Sequence, residues 1–241
     1  MRNSLSRRFA AEWIGTAFLV AAVVGSGIMG ERLSDGNVAL ALLVNTIATG
    51  AALVALILTL GPISGAHFNP VVSLAAAWDG AMAWKECPGY VISQVSGGVC
   101  GTIAAHLMFG LPAVSLSHHV RSGPAQVFSE FVATFGLLAV ILGCSRAQPR
   151  ATAFAVGSYI AAAYWFTAST SFANPAVTIA RSLSDTFSGI RATDSPAFIA
   201  AQLAGGFVAV LIFRWLSPIP RATRQEGTVA AGTETSLEIS S

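Results

Sequence analysis

The chain is short of charge. Only 10% of its 241 residues are Asp, Glu, Lys or Arg, where a soluble domain carries about a quarter. The formal net charge of +2 offers no basic surface for nucleic acid. Cysteine is also scarce. Cys87, Cys100 and Cys144 lack CxxC spacing and fall in or at the ends of apolar segments, so they read as packing residues rather than a metal site or a disulfide framework. Neither GxSxG nor HExxH occurs, and His67 and His106 have no evident acidic partner, which argues against an intramembrane hydrolase. The apolar segments lack the rings of acidic or basic side chains that an ion channel needs. No enzyme activity, cofactor or metal is expected.

Apolar residues are abundant, at 54% of the chain, and the 23 glycines suit close helix packing in lipid. Segments long enough to cross a hydrocarbon core of about 30 Å, which takes roughly 20 helical residues, lie near 9–30, 37–60, 88–110, 125–144, 150–168 and 196–216. The first follows Arg2, Arg7 and Arg8 as a signal peptide would. It runs on to about Gly30 without a small-residue cleavage site, so it reads as a retained span. The expected organisation is a short cytoplasmic segment (1–8), an all-α membrane domain (9–216) and a polar, disordered tail (217–241).

Two polar breaks organise the membrane domain: Ser64-Gly65-Ala66-His67-Phe68-Asn69-Pro70-Val71-Val72 and Ser169-Thr170-Ser171-Phe172-Ala173-Asn174-Pro175-Ala176-Val177. Asn suits a helix N-cap and Pro the first helical position. Each break therefore opens a helix, near 69–78 and 174–185, too short to span the bilayer and so re-entrant. The breaks belong to a repeat, about 9–110 and 125–216. Ala11-Glu12-Trp13-Ile14-Gly15-Thr16 aligns with Ser129-Glu130-Phe131-Val132-Ala133-Thr134, and Gln94-Val95-Ser96-Gly97-Gly98 with Gln202-Leu203-Ala204-Gly205-Gly206. With three spans per half, the second half enters from the opposite face, and the repeat is inverted. Lys and Arg number nine on the side of the termini and four on the other, which puts both termini in the cytoplasm.

Non-helical backbone at membrane depth must be enclosed by protein or line a watery cavity. Glu12 and Glu130, a few residues into their spans, need partners there, and the loop N–H groups supply them. Glu12 and Glu130 read as loop braces rather than a proton relay. Gln94 and Gln202 read as interhelical donors. If the two short helices meet N-terminus to N-terminus, their half-charges sum to about one unit. A cation about 4 Å away is then opposed by up to about 4 kcal/mol at an effective dielectric of 20. Asn69 and Asn174 remain donors to a neutral solute, while Gly65, Ala66, His67, Ser171, Phe172 and Ala173 offer carbonyl acceptors.

These features, the paired Asn-Pro loops, Glu12 with Glu130 and the six-span inverted repeat, resemble the aquaporin, or major intrinsic protein, family over residues 9–216. The resemblance implies six transmembrane helices with two re-entrant half-helices, one pore per protomer constricted at Asn69-Pro70-Val71 and Asn174-Pro175-Ala176, and a homotetramer in a bacterial inner or plasma membrane. Two positions depart from the family pattern. Val71 stands where the first box usually has alanine, and Val177 where most members place the arginine of the outer filter. Spacing from the asparagines carries the other filter positions to Thr49, Ala162 and Ser171. All four are small or medium and uncharged, so the resemblance implies a wide opening for water, glycerol-like polyols, urea-like molecules or undissociated metalloid acids such as arsenite. A water-selective channel and a non-conducting structural member of the same fold are the alternatives. Arg181, one turn past Val177, reads as a surface or loop-binding arginine paired with Asp185 four residues on, rather than one reaching back to the pore mouth. His118 and His119 read as a solvated pair, and the Gly97–Gly101 spacing as helix packing within the fold.

Overall fold

The computed structural model describes residues 3–217, so the expected tail lies outside the described residues apart from Ser217. Eight α-helices follow one another: α1 (Leu5–Leu33), α2 (Val38–Ser64), α3 (Pro70–Trp78), α4 (Cys87–Met108), α5 (Pro124–Ala147), α6 (Thr152–Phe166), α7 (Pro175–Arg181) and α8 (Ser195–Leu216). Among the described residues there is no strand. The six long helices and two short ones are those the hydrophobic pattern predicts. Five of them, α1, α2, α4, α5 and α8, are long and apolar enough to cross a membrane. The sixth, α6, has 15 residues after a single 3-10 turn at Pro149–Ala151, a rise of about 22 Å.

The inverted repeat is visible in the packing. In one half α1 lies against α4 and α2, in the other α5 lies against α8 and α6, and α2 meets α6 where the halves join. Repeat-equivalent glycines let the outer pairs close. Gly97 of α4 rests on the Trp13 carbonyl of α1 and Gly205 of α8 on the Phe131 carbonyl of α5. Their neighbours Gly98 and Gly206 receive the short helix of the opposite half, α7 and α3 respectively. The Gly97–Gly101 spacing thus serves packing between α4 and α1.

α1 starts at Leu5, four residues before the expected span, because Arg8 finds partners that let it enter the bundle. Its guanidinium reaches the Glu86 carboxylate at 2.9 Å and donates to the Tyr90 hydroxyl at 2.9 Å, which itself donates to the Ser64 carbonyl at 2.7 Å. α2 runs through Pro62 and ends on Gly65 at φ 95°, a left-handed cap that glycine adopts without steric cost. α7 stops at Arg181 rather than near 185. The following chain turns back so that the Arg181 carbonyl accepts from the Ser184 and Ile190 amides at 3.3 and 3.4 Å. Cys87 is buried and Cys100 exposed on the outside of the bundle, and all three thiols are free.

Candidate functional site

The two Asn-Pro breaks meet inside the bundle. Asn69 and Asn174 are the N-caps of α3 and α7, in extended conformation at φ −153° and −158°. Asn69 Oδ1 accepts from the Val71 amide at 2.9 Å. Asn174 Oδ1 accepts from those of Ala176 and Val177 at 3.0 and 3.3 Å. The side-chain amides then cross between loops: Asn69 Nδ2 donates to the Ala173 carbonyl and Asn174 Nδ2 to the Phe68 carbonyl, both at 2.7 Å. Each carboxamide nitrogen carries two hydrogens. One locks the opposite loop and the second is left for another acceptor.

Behind each loop lies a fully buried glutamate. Glu12 accepts from the amides of His67 (3.0 Å) and Phe68 (2.7 Å), from Ser64 Oγ (2.7 Å) and from Gln94 Nε2 (2.8 Å). Glu130 accepts from the amides of Phe172 (2.9 Å) and Ala173 (2.8 Å) and from Gln202 Nε2 (2.6 Å). The glutamines also tie down the short helices, Gln94 through Ser73 Oγ and Gln202 through Thr178 Oγ1, both at 2.9 Å. In a trans peptide the carbonyl points opposite to the N–H. The carbonyls of Ala66, His67, Ser171 and Phe172 are therefore turned away from the glutamates. Ala66, Phe68, Ser171 and Ala173 achieve this at φ of 49–50°, a left-handed conformation that non-glycine residues hold only when their surroundings over-determine it.

On the other side of the loops runs a cavity of about 310 Å³. Its wall is mainly apolar, with Leu19, Val23, Leu53, Leu138, Val156 and Ile160, and its polar stripe is formed by residues 65–69 and 171–174. Pro70, Val71, Pro175 and Ala176 do not line it. They are buried beside it, because the turn after each cap packs outward, Val71 against Gly206 and Ala176 against Gly98.

Thr49, Ser171 and Val177 all line the cavity, whereas Ala162 does not. It is exposed on the outer face of α6. The α6 stripe that faces inward is Val156, Ile160 and Tyr164, one residue per turn. Tyr164, 3% exposed, takes the place expected for Ala162 and donates to Thr49 Oγ1 at 3.3 Å. Arg181 corrects a second expectation. It is 1% exposed and lines the cavity, with Nε donating to the Ser188 carbonyl and its guanidinium carbon 3.4 Å from the Phe172 ring centre. Asp185 has no part in this. It binds the His118 amide at 2.9 Å and the His118 ring at 3.1 Å, and the His118 amide, then the His118 ring, hold its carboxyl below the usual range. The loop between α4 and α5 also sends Arg121 into the bundle, where its guanidinium carbon stands 5.1 Å from the centre of the same ring.

The mouth on the side of the chain ends carries Asp79, Ser145 and Thr152. Asp79 caps α3 and meets Arg146 of α5 at 2.5 Å. Arg146 also donates to the Phe213 and Ser217 carbonyls at 2.9 and 2.6 Å, so one guanidinium gathers α3, α5 and α8. With the two side chains only 9% and 18% exposed, Arg146→Ala strands a largely buried carboxylate. It is expected to cost about 3 kcal/mol, more than Asp79→Asn. A double-mutant cycle on melting temperature in detergent, with coupling near zero as the refuting result, checks this.

An inverted repeat of apolar helices, closing around a cavity with two asparagine-capped half-helices at its middle, is the framework of a membrane channel and not of an enzyme. The profile of the major intrinsic protein family matches residues 1–152 and 145–239, and the chain belongs to that family. Aquaglyceroporin AqpS of Rhizobium meliloti (strain 1021) is 56% identical over 226 residues, covering 92% of this chain and 97% of that protein. Aquaporin NIP1-1 of Arabidopsis thaliana is 36% identical over 166 residues, 64% of this chain and 55% of that protein's length. Among solved structures, the aquaglyceroporin from Plasmodium falciparum shares the fold with a TM-score of 0.73 at 21% identity, over 89% of this chain and 98% of that one.

Proposed function

We propose that the chain passes small uncharged solutes across the membrane, water and glycerol-like polyols first and undissociated metalloid acids such as arsenite among the larger ones. The observation that carries this reading is that Val177, with an isopropyl group and no charge, lines the cavity together with Thr49, Tyr164 and Ser171. The 56% identity to a protein named aquaglyceroporin supports it. The free hydrogens of Asn69 and Asn174 and the carbonyls turned from the glutamates replace a solute's hydration along one wall, while the apolar wall disfavours ions. The cross-capped half-helix starts add a positive potential against cations and protons. The protein acts as a homotetramer with both termini cytoplasmic.

Stopped-flow uptake into proteoliposomes tests the reading with water, glycerol, urea and arsenous acid, and water flux alone would overturn it. Val177→Arg is expected to lower glycerol uptake about tenfold while water permeability stays within a few-fold. Unchanged glycerol flux would remove Val177 from the pore.

A further inference from the structure

Two arginines contact the Phe172 ring, and their bonding differs. Arg121 is bonded at all three nitrogens: Nε donates to the Gly189 carbonyl at 2.7 Å, Nη1 to the Ser169 carbonyl and Thr170 Oγ1 at 3.2 and 3.4 Å, and Nη2 to the Phe187 carbonyl at 3.4 Å, four of the five donors of a guanidinium. It braces the second loop. Arg181 is not bonded so fully. Its Nε is taken by the Ser188 carbonyl, but Nη1 is buried without a hydrogen-bond partner among the described residues, in a side chain that is 1% exposed and forms part of the cavity wall. A second orphan lines the same cavity, the Ser171 hydroxyl, 2% exposed and also unpartnered among the described residues. Nor does Arg181 have a carboxylate, since Asp185 is engaged by His118. An unpaired buried donor is costly, and this one is held in place by the Phe172 face, at a helix C-terminus where positive charge is favoured.

We infer that Arg181 is a specificity-determining residue of the channel: its guanidinium donates from the cavity wall to the acceptor oxygen of a neutral solute, and its charge turns cations away. The charge missing at Val177 is thereby supplied one helical turn further along α7. The ligand class is a small neutral molecule bearing a carbonyl or hydroxyl oxygen. This rests on the conduction reading above and adds a residue and a selection rule to it.

Urea and guanidinium test the rule because they match in shape, while only urea is neutral and carries an acceptor oxygen. Uptake of both is measured on the same proteoliposome batch, so that the folded fraction cancels in the ratio. The wild type is expected to admit urea and refuse guanidinium. Arg181→Met, of similar length and uncharged, is expected to lower the urea-to-guanidinium ratio at least tenfold, and Arg181→Lys to keep it. Arg181→Gln guards against a Met variant that does not insert: it keeps an N–H donor without the charge, so guanidinium enters while urea uptake is retained. A wild-type ratio in both Arg181→Met and Arg181→Gln overturns the assignment, as does a Lys variant as permissive as Met. Failure of the wild type to pass urea, glycerol or arsenous acid overturns the conduction reading instead, and this assignment with it.

Discussion

Glu130→Leu is expected to abolish the folded channel, and Glu12→Leu to do the same from the other half. Each carboxylate is fully buried and binds two consecutive loop amides together with a glutamine of the half's third long helix. Leucine has nearly the right volume but accepts nothing. Two backbone N–H groups and one carboxamide would be stranded away from water, at roughly 1–3 kcal/mol each. The loop would also lose what holds Ser171 and Ala173 in the left-handed region, a conformation strained by about 1–3 kcal/mol per residue, and would relax out of it. The total is of order 5 kcal/mol or more, comparable with the whole stability of an ordinary domain. Glu130→Gln keeps one acceptor oxygen and should fall between. The readouts are yield in the membrane fraction, melting temperature in detergent and water permeability per channel. A Leu variant that matched wild type in all three would show that the glutamates are passengers.

The bracing role was legible because an ionisable residue inside an apolar span has few ways to persist. Glu12 and Glu130 had to find donors, and the only uncommitted amides at their depth belonged to the Asn-Pro loops. The same economy made Asn69 and Asn174 readable, since cap chemistry is local and needs no knowledge of the tertiary structure. That the two carboxamides would each cap the opposite loop as well as their own helix was not readable, because it depends on how closely the halves approach.

One failure comes from helix facing, which cannot be read where every face is apolar. α6 is apolar on its lipid side as on its cavity side, so counting placed Ala162 in the filter while the chain turns Tyr164 there. A buried tyrosine needs a hydroxyl partner, and a search for one on α2 would have found Thr49. Arg181 was misread for a different reason. An i to i+4 pair with Asp185 presumes a continuous helix, yet α7 ends at Arg181, and the carboxylate is captured by His118 from a loop 67 residues away in sequence. Arg121 counted only as a topology charge, and nothing local announced that an outer-loop arginine would enter the bundle and be 9% exposed.

Gly97→Leu should be about as damaging as loss of a glutamate, by a steric route. A Cβ at Gly97 would overlap the Trp13 carbonyl oxygen, and one at repeat-equivalent Gly205 the Phe131 carbonyl oxygen. Backbone cannot yield as a flexible side chain would, so α4 must move off α1. Overpacking of this kind costs about 1–3 kcal/mol when side chains can adjust, and more here. The displacement also acts on the site. α1 carries Glu12 and α4 carries Gln94, the two residues joined at 2.8 Å beneath the first loop, so a shift of an ångström or so breaks the brace as well as the packing. Gly61→Ala is the matched control, because its Cβ would meet nothing within 4 Å and alanine is the better helix former. The expected outcome is wild-type melting and permeability for Gly61→Ala and no folded channel for Gly97→Leu or Gly205→Leu. If Gly97→Leu and Gly205→Leu instead conducted normally, the close approach of α1 to α4 and of α5 to α8 could not be what sets the loops in register.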